Sequence, residues 1–240
     1  MKKILILIIF CSLLLGCTKR EDKLIMVTEA GFAPYEYYSD GKIVGVDVDI
    51  ATEIANYLGK KLVVKDVAFD SIITEVKSGK SDIGAAGISY TEERSKQVDF
   101  SVDYTLSKQV VIVKYASRIS SLDDLHDKRI AVQLGSIADT YVSDEYSDNS
   151  IIRHKKYLSA IEDLKDNKTD CVVMDELPAK AILNENNGLK ILEEPLAVDT
   201  YGIIVDKGNT ELLEAINTVI NKLKSEGKID EYVLKHIKNS

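Results

Sequence analysis

The sequence is poor in residues that break, cross-link or stack within a chain. It contains 3 prolines, 3 cysteines, 3 histidines and no tryptophan in 240 residues. Cys11 and Cys17 lie in the N-terminal segment, so Cys171 is left without a disulfide partner in the folded part. Cys171 belongs to an apolar run and is predicted to be a core residue. Because the histidines lack metal-site spacing, we predict no metal and no cofactor.

An excess of basic residues is also missing. The formal net charge is -8, and loss of Lys2 and Lys3 with a cleaved leader would leave 29 basic against 39 acidic residues, or -10. This charge disfavours nucleic acid as a partner. It does not exclude a small zwitterion or cation, because net charge describes solubility and steering and not one pocket. With 45% hydrophobic and 29% charged residues, the composition is typical of a globular protein.

The N-terminal segment has the layout of a secretory signal peptide, predicted here over residues 1–16. Lys2 and Lys3 precede a nearly unbroken apolar run, 4–15, which is too short to span a bilayer comfortably. The segment 14–17, Leu-Leu-Gly-Cys, resembles the lipobox of bacterial lipoproteins. The resemblance implies acylation (palmitate) of Cys17, a tether over 17–22, and a location on the outer face of the cytoplasmic membrane, periplasmic or extracellular. The alternative is a plain signal peptide with Cys17 incidental.

From residue 23 onward, short β-rich runs alternate with amphipathic stretches of helical length. This alternation predicts an α/β fold with mainly parallel sheets. The first set of predicted strands is 24–28, 62–67 and 83–86, with helices over 46–58 and 71–78. The second set has strands 109–114, 129–132, 151–153, 171–174 and 189–192, with helices starting at 137 and over 158–166 and 178–184. A strand over 201–205 and helices over 210–225 and 229–237 complete the prediction.

Three segments carry a family resemblance: 29–36 (EAGFAPYE), 45–50 (GVDVDI) and 86–94 (AGISYTEER). They resemble the signature segments of family 3, the polar-amino-acid family of bacterial extracellular solute-binding proteins of ABC importers. The resemblance implies a monomeric, two-lobed Venus flytrap fold with two crossing hinge strands. Lobe 1 would comprise 23–106 and 201–240, and lobe 2 would comprise 107–200. It also implies that a free amino acid is bound between the lobes and passed to a permease and its ATPase.

The first lobe supplies candidate ligand contacts in the segment 86–94. A guanidinium fork can bind both oxygens of a carboxylate, and Arg94 is electrostatically misplaced in a helix first turn, which favours a binding role. The loop follows a strand's carboxyl end, where ligands bind in open α/β sheets. Ala86, Gly87 and Ser89 lie in this loop. The resemblance implies that Ser89 contacts both the carboxylate and the ammonium of the ligand.

The second lobe supplies the matching half of the site. Gln133 and Ser136 join a strand to a helix that begins near Ile137, and free N–H groups at a helix N-terminus favour an anion. The resemblance implies that the backbone at Ser136 and Ile137 meets the ligand carboxylate and that Gln133 faces the side chain. Asp175 ends an apolar strand and matches the family's ammonium-binding acid. Its alternative role is an N-cap before Pro178.

The distal part of the ligand would meet Phe32, Phe69 and Glu29. Phe32 lies in a Gly-Pro loop, where core packing is less expected. The resemblance implies that the two phenylalanines sandwich the ligand side chain and that Glu29 contacts its distal end. A carboxylate there suits a cation or an amide, so arginine, lysine, ornithine, histidine and glutamine all stay open. Asp47 and Asp49 are predicted to complement the dipole of the helix that follows them.

We predict no enzymatic activity. The fold is shared with some dehydratases and with sensory ligand domains that partner a receptor, so the fold alone does not exclude either function. The sequence contains no phosphate-binding loop, and no histidine lies near Arg94, Ser136 or Asp175 in the strand-end loops.

Overall fold

The computed structural model describes residues 22–239. The predicted signal peptide, the acylation of Cys17 and the tether up to residue 21 lie outside the described residues. Within 22–239, no helix combines the length and the apolar character needed to cross a bilayer.

The first sheet has five strands in the order β4-β1-β5-β13-β6. In this sheet, β1 runs parallel to β4 and to β5, and β13 runs antiparallel to β5 and to β6. The strands are β1 (Lys23–Thr28), β4 (Lys61–Asp66), β5 (Ile83–Gly84), β6 (Val98–Phe100) and β13 (Ile204–Asp206). A separate hairpin, which was not predicted, consists of β2 (Tyr37–Ser39) and β3 (Lys42–Val44).

Helices cover the first sheet. The long helices follow the predicted apolar spacing: Ile50 and Ile54 on α1 are fully buried, and so are Ile216 and Ile220 on α7. Burying such an aliphatic side chain contributes about 1.5–3 kcal/mol. The helices are α1 (Val46–Tyr57), α2 (Ile72–Lys77), α3 (Glu92–Ser95), α7 (Thr210–Ser225) and α8 (Lys228–Ile237), with a 3-10 turn at Phe69–Ser71.

The second sheet has the order β11-β7-β10-β8-β9, and β12 also pairs with β7. Its strands are β7 (Thr105–Lys114), β8 (Arg129–Gln133), β9 (Ser150–His154), β10 (Cys171–Asp175), β11 (Leu189–Ile191) and β12 (Ala197–Tyr201). Its helices are α4 (Ile137–Glu145), α5 (Tyr157–Lys165) and α6 (Glu176–Glu185), with a 3-10 turn at Leu122–Leu125. Cys171 is buried in the core of this lobe, as predicted.

Two antiparallel strands carry the chain between the lobes. β7 and β12 pair from Thr105↔Tyr201 to Gln109↔Ala197. The single strand predicted over 201–205 is wrong: β12 ends at Tyr201 in the second sheet, and β13 begins at Ile204 in the first. Residues 201–205 are all buried, so composition alone did not reveal the change of sheet. The predicted α/β class with two sheets is confirmed, but both sheets are mixed and not mainly parallel, because β7 and β13 run antiparallel to all their neighbours.

Candidate ligand-binding site

A small cavity lies between the two lobes. All the predicted binding residues except Arg94 line it. The first lobe contributes Glu29, Phe32, Phe69, Ala86, Gly87 and Ser89, and the second contributes Gln133, Ser136, Ile137 and Asp175. Residues that are separated by more than a hundred positions in the chain are therefore brought to one place.

Arg94 lies beside the cavity and joins the two lobes. It is 8% exposed, and its guanidinium donates to the carbonyl of Ser89 at 2.7 Å and to the carbonyl of Gly135 at 2.8 Å. The guanidinium carbon lies 5.7 Å from the centre of the Phe69 ring, a cation–π distance. Burial lowers the pKa of Arg94, while Asp199 and Asp175 raise it. The side chain is thus held at the cleft between one carbonyl of each lobe.

The loop after β5 is shaped by Gly87. Its φ is +55°, and a Cβ there would lie 2.8 Å from a ring carbon of Phe32. The Gly87 N–H donates to Asp47 Oδ2 at 3.0 Å, and Tyr104 donates its hydroxyl to Asp47 Oδ1 at 2.7 Å. Asp47 was predicted to serve the helix dipole, but its fully buried carboxylate instead fixes the binding loop.

Ser89 is tied to the crossing strands. Its hydroxyl donates to Asp199 Oδ1 at 3.2 Å, and its backbone forms an isolated antiparallel bridge with Tyr201. Asp199, on β12, also accepts from Gln109 on β7 at 3.0 Å. Burial raises the pKa of Asp199, and its hydrogen bonds lower it. These contacts connect the first-lobe loop directly to the hinge.

The second-lobe segment around Gln133 forms the N-terminus of α4. Gly135 has a φ of +75°, and Ser136 is the N-cap, accepting from the backbone N–H of Asp139 at 3.1 Å. The N–H groups of Ile137 and Ala138, in the first helical turn, have no partner inside the helix and can bind an anion. Gln133 is 2% exposed and its amide faces the first lobe.

Asp175 is enclosed by hydrogen-bond donors. Its Oδ1 accepts from Ser107 at 2.6 Å, from Gln109 at 2.7 Å and from the hydroxyl of Tyr201. Burial raises its pKa to about 6, with a smaller contribution from Asp199. Asp175 occupies the N-cap position of α6, but its side chain makes no capping hydrogen bond. The alternative capping role is therefore not what its carboxylate performs.

Glu29 lies where the two lobes meet, opposite Gln133 and Lys156 of the second lobe. Its Oε2 accepts from Gln133 Nε2 at 3.3 Å across the cleft. Lys156 Nζ lies 3.4 Å from Oε1, an ion-pair distance without hydrogen-bond geometry. Burial raises the pKa of Glu29, and Gln133 and Lys156 lower it.

Two lining residues were not predicted. Glu36 and Tyr157 complete the cavity wall, and the Tyr157 ring stacks on Phe32 with centroids 5.8 Å apart. Glu36 lies in the quoted segment 29–36, but a glutamate between two tyrosines was not recognised as a candidate. Tyr157 opens α5, and an aromatic residue at a helix start carries no binding signal by itself.

Among residues 22–239, no group of three or more His, Cys, Asp or Glu side chains is arranged to hold a metal ion. The chemistry of the cavity is instead that of charged and hydrogen-bonding groups between aromatic rings. Such a cavity can bind a small polar molecule with both a carboxylate and an ammonium.

The sequence profile of the bacterial extracellular solute-binding proteins, family 3, matches residues 24–239. The arginine-binding extracellular protein ArtP of Bacillus subtilis (strain 168) is 30% identical over 221 residues, which cover 90% of this chain and 86% of ArtP. The ABC transporter glutamine-binding protein GlnH of the same organism is 32% identical over 231 residues, covering 93% of this chain and 84% of GlnH.

Solved structures share the fold. The amino acid ABC transporter substrate-binding protein AbpA of Streptococcus pneumoniae, bound to L-arginine, superposes with a TM-score of 0.87 at 35% identity. The match covers 91% of this chain and 95% of AbpA. A likeness of this extent covers both lobes, so the predicted two-lobed Venus flytrap architecture is confirmed.

Proposed function

This chain belongs to family 3 of the bacterial extracellular solute-binding proteins, and we propose that it captures a free polar L-amino acid between its lobes and delivers it to an ABC importer. The permease and its ATPase would be the protein partners, and the chain would act as a monomer without catalysis. Relatives named for arginine and glutamine binding support this class of ligand.

The observation that carries the proposal is the convergence of first-lobe and second-lobe residues on one cavity. In this proposal, Arg94 turns from the two carbonyls to grip the α-carboxylate, assisted by the backbone at Ser136 and Ile137. Ser89 and the carboxylate of Asp175 accept hydrogen bonds from the α-ammonium. Phe32 and Phe69 pack against the ligand side chain, while Glu29 and Gln133 face its distal end.

Binding would stabilise the closed arrangement of the lobes, because the ligand contacts both of them only when they are together. Three pairs of residues already make direct contacts across the cleft: Arg94 with Gly135, Glu29 with Gln133, and Phe32 with Tyr157. We propose β7 and β12 as the hinge, with lobe boundaries at 106/107 and 200/201.

The same proposal includes lipid anchoring through Cys17 on the outer face of the cytoplasmic membrane, periplasmic or extracellular. It is supported by the basic residues, apolar run and Leu-Leu-Gly-Cys segment of the N-terminus. Mass spectrometry of the membrane-extracted protein should detect acyl chains on Cys17. Recovery of an unmodified Cys17 on the membrane-bound protein would contradict this part.

The ligand proposal is tested by a thermal-shift and calorimetric screen of the twenty amino acids with wild-type protein, Arg94→Ala and a control, Arg118→Ala, at an exposed position. A bound amino acid raises the melting temperature of the folded protein. We expect Arg94→Ala to weaken binding by more than about a hundredfold, since a charge-assisted hydrogen bond contributes about 1.5–3 kcal/mol. Arg118→Ala should bind normally. An Arg94→Ala variant with full affinity would remove Arg94 from the site.

A further inference from the structure

A second pocket lies at the end of the second lobe that is remote from the ligand cavity. Its volume is about 300 Å³, within the size range of small-molecule sites. Lys128 lines it and immediately precedes β8, whose last residue, Gln133, lines the ligand cavity. Asp170 and Asp175 stand in the same relation on β10. These strands have five residues each and span roughly 13 Å at about 3.3 Å per residue, so the second pocket is separate from the ligand cavity.

Three cationic side chains line this pocket, those of Lys114, Arg118 and Lys128, although the chain as a whole has a formal net charge of -8. Lys114 is already bound. Its ammonium donates to the carbonyl of Lys165 at 2.6 Å and to Asn167 Oδ1 at 2.7 Å. These acceptors lie at the C-terminal end of α5, whose free carbonyls carry partial negative charge. Lys114 therefore offsets the helix end that would otherwise repel an anion from the pocket.

Arg118 and Lys128 have donors available for a ligand. Arg118 is exposed and has no hydrogen-bond or ion-pair partner within residues 22–239. Lys128 donates one hydrogen bond, to the carbonyl of His126 at 3.2 Å, which leaves two of its three N–H groups. A guanidinium can bind two oxygens of an oxyanion at once, and an ammonium adds a compact positive charge. The two side chains can therefore bind one oxyanion together.

Asp170 is the one acid among the described residues that line the pocket, and its charge is neutralised by Arg129. The guanidinium of Arg129 donates to Asp170 Oδ1 at 2.8 Å and to Oδ2 at 3.1 Å, and the backbone N–H of Arg129 donates to Oδ2 at 2.7 Å. The hydrogen bonds from Arg129 hold the pKa of Asp170 below its usual range, with a smaller contribution from Lys128. The pocket therefore keeps an excess of positive charge.

A buried hydroxyl without a partner belongs to the same wall. Thr169 lines the pocket and is 2% exposed, and its Oγ1 has no hydrogen-bond partner in the described part of the chain. Such groups are costly and rare in folded proteins. A threonine hydroxyl can donate to an anion oxygen, so a bound oxyanion would satisfy it. This observation is independent of the charges and indicates the same class of ligand.

We propose that this pocket binds a phosphate group, held by Arg118, Lys128 and the hydroxyl of Thr169. The site goes beyond the proposed transport function and shares no lining residue with the ligand cavity. A phosphate group suits it because its several charged oxygens can accept from donors on different sides. The group can come from a free phosphate compound or from the headgroup of a phospholipid, since both present the same oxygens.

The test is isothermal titration calorimetry of the purified chain with inorganic phosphate, in Hepes with about 0.15 M NaCl, where charges more than about 8 Å apart are largely screened. We expect saturable binding of one phosphate with a dissociation constant of about 1 mM or below. A parallel titration uses soluble short-chain phosphatidylglycerol. Tighter binding of the lipid than of phosphate would identify a headgroup as the source, and equal or weaker binding would identify a free phosphate compound. Failure of both to bind would overturn the proposal.

The double variant Arg118→Ala, Lys128→Ala should bind phosphate at least about tenfold more weakly, because two charge-assisted contacts are lost. Its affinity for an amino acid should stay unchanged. The matched control is Lys42→Ala, Lys96→Ala, which removes the same charge from exposed positions of the first lobe and should bind phosphate like the wild-type protein. Equal weakening in both double variants would show attraction by overall charge and would overturn the site.

Thr169→Val separates binding from folding, because valine keeps the shape of the side chain and removes the hydroxyl. We expect about fivefold to tenfold weaker binding of phosphate, with a melting temperature equal to or above that of the wild-type protein. An unchanged affinity for phosphate would overturn the role of this hydroxyl. Loss of phosphate binding in Arg94→Ala would place the anion in the amino acid cavity and overturn the second site. Amino acid binding is measured separately, so these outcomes leave the proposed function standing.

Discussion

Two acidic side chains of the cavity wall are held in opposite settings. Asp175 is buried among three donors that come from β7 and β12. Glu36 is also buried, but neither of its carboxyl oxygens has a hydrogen-bond partner among the described residues. The first carboxylate is fixed before a ligand arrives, because its surroundings are complete. The Glu36 carboxyl group lacks hydrogen-bond donors, so a donor on the ligand side chain can supply one.

We expect different tasks for these two acids. A preorganised acid gives affinity for a group that every amino acid has, the α-ammonium, because little reorganisation is needed on binding. An acid without hydrogen-bond partners gives discrimination, because it favours ligands that supply a donor. Substitutions of the two acids should therefore produce different patterns over a set of amino acids, not only different magnitudes.

The largest effect on this comparison is expected from Asp175→Asn. The asparagine oxygen can still accept from Ser107 and Tyr201, so the fold should persist, but the charge that meets the ammonium is lost. We expect calorimetry to show about tenfold to a hundredfold weaker binding of every amino acid tested, by the same factor for arginine and glutamine. The exposed Asp148→Asn should have no effect. If Asp175→Asn weakened the binding of arginine alone, Asp175 would contact the ligand side chain and not the α-ammonium, and the comparison would be wrong.

A second effect concerns pH. Burial raises the pKa of Asp47 to about 6 and holds the pKa of Glu36 well above its usual range. Acids whose pKa is higher in the folded than in the unfolded state stabilise most at low pH, and this contribution is lost as pH rises through the folded pKa. The free energy of unfolding of the unliganded protein should therefore fall between pH 5 and pH 7.5, by on the order of a few kcal/mol.

Urea unfolding of the wild-type protein and of Glu36→Gln at both pH values measures this effect. Removal of one titrating acid should flatten the pH dependence in the variant. Acids on ion pairs, such as Asp99 and Asp170, have a lowered pKa and stay ionised throughout this range, so they do not contribute to it. If the free energy of unfolding depended on pH in the same way in both proteins, Glu36 would not be one of the groups that titrate in this range.

The smallest effect is expected from Tyr201→Phe. This change removes one of the three donors to Asp175. Loss of such a buried bond should lower the free energy of unfolding by about 1–2 kcal/mol, because Ser107 and Gln109 remain. Tyr115→Phe, at a ring that is 68% exposed, is the control and should unfold like the wild-type protein. If Tyr201→Phe left the free energy of unfolding unchanged, the hydrogen bonds around Asp175 would contribute less to stability than their number indicates.

Much of the fold could be predicted because apolar spacing and helix lengths are local properties. The helix over 210–225 was predicted with the bounds that the structure has, and α1 differs by one residue. The change of sheet between Tyr201 and Ile204 could not be predicted, since it lies inside one buried run, 201–205. Such a change is decided by pairing with strands that lie far away in the chain.

The lining of the cavity was predictable where a residue matched a position implied by the family resemblance, as for Ser89 and Gln133. Their contacts with a ligand stay a prediction. Glu36 was missed because its burial beside another acid is a tertiary property, and a charged residue in a loop is usually solvated. Ser107 and Gln109 did leave a signal: they occupy inward positions of β7 that alternate with exposed Leu106 and Lys108. That alternation of polar residues inside a strand could have indicated a buried polar network.

The position of Tyr201 has a consequence for how a molecule enters the protein. Its backbone bridges Ser89 of the first lobe, while its hydroxyl holds Asp175 of the second. One residue thus links both lobes at this side of the cleft, and we expect the lobes to separate most where Glu29 faces Gln133. An amino acid would enter with its ammonium directed towards Asp175, and its side chain would be enclosed last.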